Sequence, residues 1–86
     1  MTLIQRQDAL VAKLEPLYRK HFASGSSGFG GYIVGPRSRF KRLHHQELIA
    51  AGYTKQQALE SAEQCDQVAY RNADHEHFMA QMGAAA

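Results

Sequence analysis

A single cysteine, Cys65, sets the first limits on this chain. No intramolecular disulfide can form. A zinc site of four cysteines, or of two cysteines and two histidines, is excluded within one chain. β-Branched residues are sparse while alanine and glutamine are abundant, which favours helix over sheet. No stretch approaches about 18 apolar residues, so no segment is expected to span a membrane. The opening Met1-Thr2-Leu3-Ile4 leads directly into polar residues, without the apolar core of a signal peptide. A cytoplasmic protein is the expectation.

What is present is ordinary globular composition, with 44% hydrophobic and 21% charged residues, so a folded chain is expected. Its 86 residues make one domain, 1–86. A domain this small holds one thin core and little room for an elaborate active site, so enzymatic activity is not expected. The net charge of +2 is unevenly distributed. Residues 1–43 carry eight lysines and arginines against Asp8 and Glu15, a balance of +6, and residues 44–86 carry Lys55 and Arg71 against six acids, a balance of −4. Such a split suits a dipolar surface or self-association.

The local patterns are helical. Thr2 and Gln5 have the spacing of a capping box. Leu3, Leu10, Val11, Leu14, Leu17, Tyr18 and Phe22 then form one apolar stripe over about residues 3–22. Pro16 interrupts this stretch, but the apolar phase survives it, so one kinked helix is expected rather than two. Residues 24–31 are too rich in glycine and serine for a regular element, and the segment 24–36 reads as a flexible connector. Within it Tyr32-Ile33-Val34 reads as a short strand or extended strap, ended by Gly35-Pro36. A second helix is expected from Ser38 to about Ala51, closed by Gly52 in the left-handed conformation. Thr54 and Gln57 form a second capping box. The helix they open carries small residues, Ala58, Ala62, Cys65, Ala69 and Ala73, at one-turn spacing. That face would let another helix approach closely, including one from a second copy in a homodimer. Either a break near Asn72 or Asp74, or continuation to Met82, fits the remainder, with residues 83–86 as a frayed tail. The expected fold is therefore all-α, three or four helices with a Gly-rich connecting loop.

Few residues offer chemistry. The glycines of the loop lack the Gly-Lys-Ser/Thr ending of a phosphate-binding loop, and no strand precedes them as a dinucleotide fingerprint requires. Of the five histidines, His44 and His45 are adjacent and His75 and His77 are two apart, so neither pair shares a helix face. No metal site, cofactor or catalytic residue is expected. Cys65 lies on the presumed packed face, beside Asp66, which disfavours its thiolate.

The basic segment is the sharpest feature. Arg37, Arg39, Lys41 and Arg42 place four cations in six residues, followed at once by His44 and His45. Positive charge near a helix start opposes the helix dipole, and a bound anion would offset that conflict. The expected partner is nucleic acid, contacted at its phosphates by a small regulatory protein, or alternatively an acidic protein surface met by a small inhibitor or adaptor. Tyr32 and Phe40 lie close enough to contribute stacking. The stretch Leu48–Cys65 has the layout of a helix-turn-helix, but its second helix is acidic on balance and unsuited to enter a DNA groove. Ile49-Ala50-Ala51-Gly52-Tyr53 with Gln56-Gln57-Ala58-Leu59 resembles the first loop and second helix of a ubiquitin-associated domain. The rest of that pattern is absent, so no site is carried over.

Overall fold

In a computed structural model the chain forms three helices, each packed against the other two. The structure describes residues 1–25 and 31–85, apart from the side chains at 31, 32, 84 and 85. Helix α1 spans Leu3–Ala23, α2 Gly31–Ala50 and α3 Lys55–Ala85. There is no strand among the described residues.

Helix α1 begins at the expected capping box. The Gln5 amide donates to Thr2 Oγ1 at 3.1 Å, and the Thr2 amide donates to Gln5 Oε1 at 2.9 Å. Two orphan amides are thereby satisfied. The helix passes through Pro16 without a break. Pro16 and Ala12, whose carbonyl loses its partner, both lie on the exposed face, where water can take the bond.

Helix α2 starts earlier than the sequence suggests. The connector anticipated over 24–36 ends before Gly31, and Tyr32-Ile33-Val34 is helical, not a strand. Gly35-Pro36 reads locally as a terminator, but Ile33 falls about one helical turn before Arg37 and about three turns before His44. It is fully buried, on the inner face of α2 that Arg37 and His44 share, and that burial outweighs a proline near the helix start. Of the Gly/Ser loop, residues 26–30 lie outside the described residues, and with them its expected mobility.

The turn into α3 follows its expected chemistry. Gly52 adopts φ +100°, the Tyr53 amide donates to the Leu48 carbonyl at 3.0 Å, and the Gly52 amide donates to the Ile49 carbonyl at 3.1 Å. This is a Schellman closure with glycine at the left-handed position. Thr54 and Gln57 then form the second capping box, with bonds of 2.9 and 3.1 Å. Helix α3 continues unbroken past Asn72, Asp74 and Gly83, where a tail was anticipated, and its 31 residues give the molecule its long 49 Å axis.

Contacts along the chain fix the topology. Gln7 meets Ser61, Tyr18 meets Asp66, and Arg19 meets Glu76, so α1 and α3 run parallel. His44 meets Ser61, and Lys41 meets Glu63, so α2 runs antiparallel to α3. Leu10, Leu14, Tyr18 and Ile33 fill the core against Cys65, Ala69 and Ala73. Ala58, Ala62, Cys65 and Ala69 are buried inside the chain. The small-residue face offered to a second copy by the sequence is thus spent on seating α1 and α2.

Candidate functional site

The basic segment lies on α2, and the helix divides it. Arg37, Lys41, His44 and Leu48 follow one another at four-, three- and four-residue steps on the face turned toward α1 and α3. Arg39 and Arg42 point the other way and are exposed. Four cations that look contiguous in sequence are therefore two pairs on opposite sides of a helix.

The inward pair is committed within the molecule. Lys41 Nζ donates to Glu63 Oε1 at 2.7 Å and to Asp66 Oδ2 at 3.3 Å. Asp66 Oδ1 accepts the hydroxyl hydrogen bond of Tyr18, and Arg37 Nη1 donates to that hydroxyl oxygen at 3.3 Å. Burial, joined by the hydrogen bond to Asp66, pushes the Tyr18 phenol up to about 12, against a smaller opposing pull from Arg37. The network borders a groove of about 380 Å³ lined by Tyr18, Arg37, Asp66, Gln67, Tyr70 and Arg71. Tyr18, Asp66, Tyr70 and Arg71 were not candidates from sequence. Each is an ordinary residue on its own helix, and only the packing of α1, α2 and α3 brings them together.

The other sequence candidates separate in the same way. His44 is buried, and its Nε2 lies 2.9 Å from Ser61 Oγ, which also accepts from Gln7 Nε2 at 3.0 Å. Burial lowers the His44 pKa, with Arg6, His45 and Lys13 adding to the effect and Glu47 opposing it. This histidine is a core residue. His45 is half-buried, and its Nδ1 has no hydrogen-bond partner among the described residues. Phe40 is half-buried against the core beneath Lys13, whose Nζ sits 5.8 Å from the ring centroid. The side chain of Tyr32 lies outside the described residues.

The outer face of α2 remains. Arg39, Arg42 and Gln46 are exposed there with Leu43 and Ile49, and neither arginine holds an ion pair among the described residues. The early start of α2 also changes the electrostatics of the segment. Arg37 sits nearly two turns inside the helix, whereas the dipole acts within the first turn. The charge–dipole conflict that suggested a bound anion is largely relieved by the fold.

Little reactive chemistry accompanies this surface. The Cys65 thiol is buried, donates to the Gln7 carbonyl at 3.7 Å, and is pushed up by desolvation. Among the described residues, no three His, Cys, Asp or Glu side chains converge closely enough to share a metal ion. No helix among them is long and apolar enough to cross a membrane. No protein-family model, curated protein or solved structure matches this chain.

Proposed function

We propose that this protein is a small, non-enzymatic binding factor of the cytoplasm that meets an acidic protein surface with the outer face of α2. The observation that carries the reading is the composition of that face: Arg39 and Arg42 exposed beside Leu43 and Ile49, while Arg37 and Lys41 are engaged inward. Apolar side chains flanked by arginine suit a protein interface, where arginine and buried apolar anchors carry much of the affinity. A phosphate backbone would use the arginines and leave Leu43 and Ile49 in water. Cys65 and His44, the nearest approach to a nucleophile and a base, are held in the core, which favours binding over catalysis.

The test pairs two measurements. Affinity capture with wild-type protein and with the R39E/R42E variant, each with and without nuclease, is expected to yield a partner that survives nuclease and is lost from the variant. Titration of labelled duplex and single-stranded DNA at two salt concentrations is expected to show no more than weak binding. Two exposed arginines supply two phosphate contacts, for a log–log salt slope of about −2 on duplex, against −3 to −4 for three or four contacts. Tight duplex binding with the steeper slope, together with capture that nuclease abolishes, would overturn the protein-surface reading in favour of a nucleic-acid partner.

A further inference from the structure

Helix α3 presents a second stripe, on the side opposite its buried alanines. Gln64, Val68, Arg71, His75, Phe78 and Met82 recur at alternating four- and three-residue steps, and all six are exposed. That is the spacing of the facing positions of a coiled coil. Val68 is 41% exposed, Phe78 56% and Met82 57%, although these are large apolar side chains. Near the end of α1, Arg19 bonds Glu76 and the Phe22 ring stacks on His77. Beyond them α3 runs on by eight residues to Ala85, about 12 Å at 1.5 Å per residue, carrying Phe78 and Met82 past the end of α1.

We infer that this stripe binds the same stripe of a second copy, with the two α3 helices antiparallel. Facing positions in an antiparallel pair match an early layer of one helix with a late layer of the other. One register places every apolar member of the stripe at the interface. Val68 faces Phe78 of the second copy, Gln64 faces Met82, and Arg71 faces His75, with each contact repeated by symmetry. Shifting by a heptad one way sets Phe78 against the buried Ser61, and shifting the other way sets Val68 against the last residue of α3, Ala85. The charges agree with this register. Arg71 and Asp74 hold no ion pair with other groups among the described residues, and the alignment brings Arg71 of each copy beside Asp74 of the other. The aliphatic stem of Arg71 can cover the interface while its guanidinium reaches that carboxylate at the edge. The outer face of α2 is not used, so the dimer would carry two copies of it.

Sedimentation velocity of the full chain across the micromolar range is expected to show a dimer. Val68→Glu and Phe78→Glu are each expected to raise the dissociation constant by at least about tenfold, with far-UV circular dichroism unchanged, because both side chains are exposed. R71D is expected to weaken association, and R71D/D74R to restore it. Orientation is read by cross-linking in a Cys65→Ala chain. F78C chains mixed with V68C chains are expected to form a disulfide-linked pair, and F78C chains alone are not. A monomer throughout the range, a dimer indifferent to both glutamate variants, or faster self-linking of F78C than of the mixture would each overturn the inference.

Discussion

The Tyr18 hydroxyl on α1 donates its hydrogen bond to Asp66 on α3, 48 residues further along the chain. The second carboxylate oxygen of Asp66 takes Lys41 from α2. One side chain thus ties together all three helices. It also draws Arg37 and Lys41, half of the basic segment, toward the other two helices. The same contact governs how the fold answers to alkali. The phenol of Tyr18 is held up to about 12, above its ordinary value of 10. The folded state therefore keeps its proton where the unfolded chain loses it. The Tyr18 contribution to stability should be constant up to about pH 10 and fall as pH rises from there toward 12. Absorbance titration of phenolate should show a late-titrating component that Tyr18→Phe removes.

His44 sets the opposite limit. Its burial lowers its pKa below 6.5, so the unfolded chain binds a proton that the folded chain resists. Stability should be complete above about pH 6.5 and decline as pH falls below it. Thermal melts at about pH 7 and about pH 5 check this, and His44→Gln should shrink the difference between them while keeping a hydrogen-bonding group near Ser61.

The alanine face of α3 predicts an asymmetry between neighbouring positions. Ala69→Leu should destabilise by about 1–3 kcal/mol, because Ala69 is fully buried against the core and offers no room for added methylenes. Val68→Ala, one residue away on the exposed side, should change monomer stability by no more than about 0.5 kcal/mol. Leu14→Ala should cost about 2–5 kcal/mol. Chemical denaturation of the three variants orders them.

The closure between α2 and α3 rests on two residues. At Gly52 the backbone φ of +100° strains any residue bearing a side chain, so Gly52→Ala should destabilise by about 1–2 kcal/mol. Thr54→Ala removes the capping acceptor for the Gln57 amide and should cost about 1 kcal/mol. Midpoints of urea unfolding report both.

The two halves of the basic segment should respond differently to truncation. Lys41→Ala breaks contacts to Glu63 and Asp66 that are partly exposed, so it should lower stability by at most about 1 kcal/mol. Arg42→Ala should leave stability unchanged and weaken partner capture. Measuring melting temperature and capture for both variants separates structural cations from binding ones.

Sequence alone determined the features that depend on near neighbours. The Thr2/Gln5 and Thr54/Gln57 boxes, the left-handed Gly52 and the apolar stripe carried through Pro16 are set by spacings within one or two turns, and each stands as the spacing predicts. The all-α fold follows from those local signals added together. Tertiary structure decided the rest. Tyr32-Ile33-Val34 reads locally as strand or strap, and the burial of Ile33 in the core, on helix α2, overrode that local signal. The alanine face could have served another helix of the chain or a second copy, and only packing shows that it serves the chain itself. Arg37 and Lys41 look equivalent to Arg39 and Arg42 when read in order. What separates them is a rotation about the helix axis and the acids that α3 brings to one side. A linear pattern counts charges, but their availability depends on which helix face meets the rest of the fold.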